Sequence, residues 1–232
     1  SFPTRRSSDL EFVSFESIRP PETEKSIVLD YSGLPDWFVQ QQVEHLIEVA
    51  EKIVVMPDLS PTEKGIVPTG TIVEINTEPH PNWLEFVKGA DIGCGIAMAN
   101  LNLTSNTFRK DQSSLDEVYR LIKNNKSLSL GGGNHFIDFV TNDEDKVSVV
   151  VHTGAYRDKQ KDLSQIISEK PASQSWSDTT EKYMKKYKDV IESAHVNRLG
   201  LLEEISKVYG RGTIAFHEPH NTIDLDNKTN TV

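Results

Sequence analysis

The stretch of sequence that decides the fold runs from residue 136 to residue 151, FIDFVTNDEDKVSVVV. Two apolar runs, Phe136 to Val140 and Val147 to Val151, flank the polar stretch Thr141 to Lys146. Short runs rich in β-branched and aromatic residues on both sides of a polar turn are typical of paired strands. The sequence therefore predicts a β-hairpin here.

The register of this hairpin determines where two histidines lie. If the hairpin is symmetric about its turn, Val140 faces Val147, and His135 then faces His152. Directly opposed residues have Cβ atoms about 4.5–5.5 Å apart on the same face of a sheet. This register predicts two imidazoles side by side, at a suitable separation for one metal ion. A slip of one residue would place them on opposite faces.

Outward from the hairpin, apolar residues at helical spacing predict helices over Trp37 to Ala50, Ser114 to Ile122 and Ser177 to Tyr209. Asp36 is the expected N-cap of the first helix. Gly200 is expected to divide the last segment into two helices.

Short strands are predicted between these helices. Ile53 to Met56 reads as a strand ended by Pro57, and Ile66 to Val73 as a strand-turn-strand. An apolar run to Leu103 and a final strand, Thr213 to Phe216, follow. Short strands mixed with segregated helices favour an α+β fold of mixed β-sheets with flanking helices over a doubly wound sheet.

Composition limits the function classes. The 232 residues suffice for one large domain or two small ones. The single cysteine, Cys94, excludes an internal disulfide framework, and no apolar stretch reaches the roughly 20 residues of a membrane helix. We therefore expect a cytoplasmic protein with no membrane partner. The net charge of −10 implies that any RNA contact is local.

The chain divides into a polar lead-in, residues 1–28, and one domain, residues 29–232. Ser1 to Leu10 has no apolar core of a secretory signal. It resembles a translated sequencing-adapter remnant, and a disordered natural tail is the alternative.

The segment Asp91-Ile92-Gly93-Cys94-Gly95 offers a carboxylate and a thiolate on one tight turn. A soft thiolate together with imidazoles favours a transition metal over Mg²⁺ or Ca²⁺. The alternative for Cys94 is a small buried hydrophobic residue, and His152 and Gly131 to Gly133 also have plain structural interpretations.

The sequence contains five further histidines. His217 and His220 lie three apart beyond the last strand, and only one of them need be a ligand. His45, His80 and His195 are expected to be surface or core residues.

Six ordered blocks of the sequence resemble those of RtcB-type RNA ligases. The most specific are Asp-Ile-Gly-Cys-Gly and Gly-Gly-Gly-Asn-His-Phe. The six blocks are Val55 to Asp58, Ile66 to Thr69, Asp91 to Gly95, Leu130 to Ile137, Val151 to Gly154 and His220-Asn221.

The resemblance implies a site for two Mn²⁺ ions and GTP. Cys94 would bridge the ions, with His135 and His152 on one and Asp91 and His220 on the other. The residues implied to lie against GTP are Asn134, His135, Phe136, Ile137, Asp138, His220 and Asn221. The implied reaction joins an RNA 3′-phosphate or 2′,3′-cyclic phosphate to a 5′-hydroxyl in tRNA splicing and RNA repair. Its partners are tRNA halves or broken RNA, and an activating protein is left open.

The sequence also departs from the family pattern. The family's guanylylated histidine belongs to a His-Gly-Ala-Gly-Arg block that does not occur before Val232, so no catalytic nucleophile is assigned. The chain is therefore expected to be an inactive part of the catalytic domain, truncated at its C-terminus. Leu59 to Pro61 stands where the family usually has a histidine after the Asp58 position. Ala155 to Arg157 replaces the family's Ser-Arg-Gly pattern, which puts the phosphate contacts of that loop in doubt.

Two other functions use the same residues. A metal-dependent phosphoesterase would activate water at the two metal ions and needs no histidine nucleophile. A non-catalytic metal-binding domain would instead have closed coordination.

Overall fold

The computed structural model describes residues 27–30, 37–47, 50–61, 67–75, 92–155, 157–171, 173, 175–224 and 229–231. The helices are α1 (Trp37–Ile47), α2 (Gln112–Asn124), α3 (Arg157–Ser168) and α4 (Trp176–Tyr209). The strands are β1 (Ile27–Asp30), β2 (Ala50–Ser60), β3 (Thr69–Ile75), β4 (Gly95–Thr104), β5 (Phe136–Thr141), β6 (Lys146–Thr153), β7 (Thr213–Pro219), β8 (Thr222–Asp224) and β9 (Thr229–Thr231). The predicted α+β class is confirmed. The adapter-like segment Ser1 to Leu10 and the predicted N-cap Asp36 lie outside the described residues.

The first sheet has the strand order β1-β2-β3-β9-β8. It is a mixed sheet, because β1 runs parallel to β2 and the other pairs are antiparallel. Ile53 and Val73 are fully buried and share a core with Leu46 of α1, Leu163 of α3 and Val190 of α4. This core therefore joins one sheet to three helices.

Two predictions for the first sheet are wrong. Pro57 does not end its strand, which continues to Ser60. The pairing with β1 stops at Val55, and the register with β3 shifts between Val55 and Ser60, so that Pro57 falls in an irregular stretch where no regular ladder amide is needed. In place of a strand-turn-strand over Ile66 to Val73, a bend at Val67 precedes the single strand β3.

The second sheet is antiparallel throughout, with the order β5-β6-β4-β7. Alternate residues of its strands point to α2 and α4, since side chains in a strand alternate between faces. Ala97 and Val149 are buried on this face against Val118 of α2 and Leu201 and Ile205 of α4. The opposite face carries His152 of β6.

Helix α4 is continuous over 34 residues, about 50 Å, and does not break at Gly200 as predicted. A Cβ at Gly200 would lie 2.4 Å from Leu128 Cδ2, so the glycine admits a close side-chain contact. The helix packs against the first core through Tyr183 and Val190 and against the second through Leu201. It is thus the one described element that contributes to both cores.

The predicted hairpin forms, but in a register one residue away from the predicted one. Phe136 pairs with His152, and Thr141 with Val147. The turn is the cause: the Asn142 side chain accepts hydrogen bonds from the Glu144 and Lys146 amides, and Asp145 takes φ +60°. One residue fewer therefore lies between the paired residues Thr141 and Val147 than between Val140 and Val147 in the predicted register.

Candidate metal centre

His152 lies near the end of β6, on the sheet face turned away from α4. Its neighbours in the strand, Val151 and Thr153, point the other way and are buried. The imidazole is itself only 6% exposed and lies 5.1 Å from the Phe136 ring, centroid to centroid. Strand periodicity thus places the imidazole on the same face as Val150 and Ser148.

Cys94 lies on the turn that enters β4. Gly93 has φ +80°, and a Cβ there would lie 2.8 Å from the Ala194 Cβ, so both the turn and the helix contact require glycine. The Cys94 side chain is 2% exposed and is not part of a disulfide. The turn therefore presents a buried sulfur beside the end of β6.

Two imidazole nitrogens converge on this sulfur. The Cys94 Sγ lies 3.1 Å from His152 Nε2 and 3.5 Å from His135 Nε2. The opposite nitrogen of each ring donates to a carbonyl: His135 Nδ1 to Leu130 O at 3.0 Å and His152 Nδ1 to Asn134 O at 3.2 Å. These bonds fix the tautomer in which Nε2 carries the lone pair, as metal-binding histidines commonly have.

The donor atoms fit a cation. A Cys94 thiol has one hydrogen and can serve only one of the two Nε2 lone pairs, whereas a metal ion accepts both nitrogens and the sulfur. Cys94, His152 and His220 have ligand atoms that all lie within 4.8 Å of one another. This buried Cys/His/His group could hold a metal ion, and thiolate with imidazole suits a transition metal.

His220 closes the group on its outer side. Its backbone N–H donates to the Cys94 carbonyl at 2.9 Å, and its ring lies 5.1 Å from that of His152. Because His220 is exposed while Cys94 and His152 are buried, the group is accessible from one side.

The approach of His135 and His152 does not come from the predicted cross-strand pairing. His135 precedes β5, outside the paired strand, so the register change does not send its ring to the other face. The two rings lie 5.4 Å apart, centroid to centroid. The prediction of neighbouring imidazoles is thus met by a different route, through the loop bond to Leu130.

Of His217 and His220, only His220 belongs to the candidate metal-binding group with Cys94 and His152. His217 Nε2 accepts a hydrogen bond from Arg198 Nε at 3.0 Å, and its ring stacks on His195 at 3.8 Å. Burial, reinforced by His195 and by the positive charge of Arg198, lowers the pKa of His217 to about 4. His217 therefore stays neutral near pH 7 and serves as an acceptor.

The structure brings together four of the five predicted metal ligands, Cys94, His135, His152 and His220. Asp91, the fifth, lies outside the described residues, as does His80.

The residues predicted to contact GTP divide between two faces. Asn134, Phe136 and Asp138 are exposed, and the last two share the face of His152, whereas Ile137 packs against the second core.

No family model matches the chain, and no curated protein matches it. Among the described helices, none is both long enough and apolar enough to cross a membrane. The family resemblance therefore stays a prediction drawn from the sequence blocks.

Sequence reasoning missed Asn197 and Arg198, which lie behind the metal group on α4. Both are buried, and Arg198 is fully so. Their positions follow the buried stripe of the helix, three to four residues after Ala194 and before Leu201. Two polar residues at core positions of a helix are a signal that the sequence does contain.

Proposed function

We propose that this chain supplies the two-manganese centre and part of the GTP site of a GTP-dependent RNA ligase. The reaction joins an RNA 3′-phosphate or 2′,3′-cyclic phosphate to a 5′-hydroxyl in tRNA splicing and RNA repair. One observation carries the proposal: the Nε2 atoms of His135 and His152 converge on Cys94 Sγ. These residues come from three separate blocks of the sequence, and the RtcB resemblance implies that they are metal ligands.

The arrangement around the sulfur supports a bridging role for Cys94. His135 and His152 approach Sγ as one pair, and His220 lies beside His152 on the exposed side. We assign the first pair to one ion and His220, with Asp91, to the other. When bound, the two ions would orient the GTP triphosphate and offset its negative charge.

The protein groups around the ligands prepare the site for a nucleotide. Leu130 and Asn134 carbonyls hold the two imidazoles with Nε2 toward Cys94. The exposed Phe136 ring and the Asp138 carboxylate lie on the same sheet face, where they offer a stacking surface and a hydrogen-bond acceptor. We propose that Asn134 to Asp138 and His220-Asn221 contact GTP.

The sequence contains no His-Gly-Ala-Gly-Arg block, so this chain is expected to bind GTP without forming a covalent GMP adduct. Its RNA contacts, with tRNA halves or broken RNA, are local, because the net charge is −10. Cys94 is buried and is the single cysteine of the sequence, which is typical of proteins from a reducing compartment, and we propose a cytoplasmic location. An activating protein partner is left open.

GTP binding with and without Mn²⁺ tests this function. Calorimetry on the purified chain is expected to show GTP binding only when Mn²⁺ is present, and intact-mass spectrometry is expected to show no added GMP. His152→Ala should abolish binding. Ser148→Ala, on the same face of the same strand, should leave it unchanged, since Ser148 hydrogen-bonds only Asn100 among the described side-chain contacts. GTP binding of equal strength without any metal would refute the metal-dependent GTP site.

A metal-dependent phosphoesterase is the second candidate, and the exposure of His220 favours it. An accessible two-metal site can activate water without a histidine nucleophile. Hydrolysis of a nucleoside 2′,3′-cyclic phosphate by the purified chain, lost in His135→Ala, would establish this activity. Metal binding with neither hydrolysis nor GTP binding would instead identify a non-catalytic metal-binding domain.

A further inference from the structure

Helix α4 buries an arginine directly behind the candidate metal centre. Arg198 is 0% exposed, and within the described part of the chain no carboxylate forms an ion pair with it. A buried guanidinium without a carboxylate partner is costly unless its donors find other acceptors. The acceptors that Arg198 does find therefore indicate why the residue is there.

Two acceptors of Arg198 lie next to candidate ligands in the sequence. Nη1 donates to the Gly93 carbonyl at 2.6 Å and to the Thr153 carbonyl at 2.8 Å. Gly93 precedes Cys94, and Thr153 follows His152. One nitrogen thus ties the turn of Cys94 to the end of the strand that carries His152.

The third bond of Arg198 reaches the strand that leads to His220. Nε donates to His217 Nε2 at 3.0 Å, and His217 belongs to β7, three residues before His220. The neutral state of His217 leaves this nitrogen free to accept. The rigid, planar guanidinium therefore connects three separate chain segments, two through backbone carbonyls and one through the His217 side chain.

Asn197, the preceding residue, holds the fourth segment. Its Oδ1 accepts from the Ser129 amide at 2.9 Å, and its Nδ2 donates to the Ser129 carbonyl at 2.7 Å. Ser129 precedes Leu130, whose carbonyl accepts the His135 Nδ1 hydrogen. Asn197 therefore fixes the loop that orients the His135 ring.

We propose that Asn197 and Arg198 are positioning residues that set the relative geometry of Cys94, His135, His152 and His220. This inference rests on the proposed metal centre. If the two residues only filled the core, hydrogen-bond partners anywhere in the core would satisfy them. Here the bonds run to Gly93, Thr153, His217 and Ser129, each adjacent to a ligand or on its supporting segment.

Electrostatics agree with this role. Burial lowers the pKa of Arg198, and the interactions with Cys94 and Glu218 counteract that effect.

Co²⁺ binding to the full chain tests the proposal, because its visible spectrum reports ligand number and geometry. Arg198→Lys retains the charge but not the planar fork, and Asn197→Asp retains the shape but not the amide donor. Both variants are expected to bind Co²⁺ about 10–100-fold more weakly than the unaltered chain, with altered ligand-field bands. Arg120→Lys, at an exposed pair on α2, should change neither.

The outcomes separate the two proposals. If the unaltered chain does not bind Co²⁺, the metal centre itself fails. If the unaltered chain binds and both folded variants bind with the same affinity and spectrum, the positioning role is overturned while the centre stands. His217→Leu removes one Arg198 acceptor at an edge strand, and we expect it to alter the spectrum as well. Loss of folding in all three variants would also overturn the proposal, since it would assign the pair to stability alone.

Discussion

Replacing Cys94 with serine removes the atom on which the metal centre converges. Sγ is the shared neighbour of His135 Nε2 and His152 Nε2, at 3.5 and 3.1 Å. Serine has nearly the same shape, so the substitution changes the ligand while leaving the buried turn filled. A neutral hydroxyl is a much poorer ligand than a thiolate for a transition metal.

The magnitude follows from linkage between binding and unfolding. At a Mn²⁺ concentration of 100 times Kd, a ligand that binds only the folded state adds about 2.7 kcal/mol to the free energy of unfolding. For a chain of this size, about 2–4 °C per kcal/mol corresponds to a rise in Tm of about 5–11 °C. A 100-fold loss of affinity in Cys94→Ser would reduce the added free energy to about 0.4 kcal/mol and the rise to about 1–2 °C.

Differential scanning calorimetry with Mn²⁺ and with excess chelator measures this shift for each protein separately. Taking the difference within each protein removes any effect of the substitution on the metal-free fold. Ser148→Ala, buried on the same sheet face as His152, is the matched control and should keep the full rise. A full Mn²⁺-dependent rise in Cys94→Ser would refute the assignment of Cys94 as a ligand.

Three further predictions concern the supports of the site. Gly93→Ala should destabilise the chain by about 1–3 kcal/mol in urea unfolding, because of its φ of +80° and the 2.8 Å contact with Ala194 Cβ; unchanged stability would show that the turn relaxes freely. In excess chelator, the free energy of unfolding should fall as pH drops from about 6.5 towards 4. The cause is that His217 takes up a proton in this window in the unfolded chain but not in the folded chain, where its pKa is lowered to about 4. His217→Asn should flatten this part of the pH profile, and an identical slope in that variant would contradict the prediction. Gly200→Ala should lower the free energy of unfolding by about 1–3 kcal/mol, because the added methyl group overpacks against Leu128 and outweighs the better helix propensity of alanine. The double variant with Leu128→Ala should recover part of this loss, and additive effects of the two substitutions would argue against the contact.

Periodicity predicted those parts of the fold that depend on local sequence. The helices that begin at Trp37, Gln112 and Trp176 and the strands of the central hairpin have strong apolar patterns, which decide both element type and buried face. Helix α3 and strands β1, β8 and β9 were not predicted. Beta strands of three or four residues, such as these three, carry too short a pattern to detect.

Tertiary contacts account for the errors. Gly200 continues its helix because the Leu128 side chain occupies the space beside it, and no local pattern records that neighbour. The hairpin register depends on side-chain bonds from Asn142 within the turn. A single residue in a turn moves every pair of a ladder, so counting apolar residues does not determine the register.

The candidate site was predictable because its donors are rare residue types. Cysteine and histidine residues in ordered blocks are recognisable candidates for metal ligands. The structure brings Cys94, His135, His152 and His220 together. Arg198 was missed because arginine is common on helix surfaces. Only its phase within the buried stripe of α4 distinguishes it from a surface arginine.

The metal content of the purified chain tests the central claim most directly. After exposure to excess Mn²⁺ and removal of unbound ions, elemental analysis should find about two ions per folded chain, as in other two-metal sites. The Cys94→Ser variant should retain fewer. A well-folded chain that retains no metal under these conditions would contradict the assignment of Cys94, His135, His152 and His220 as a metal centre.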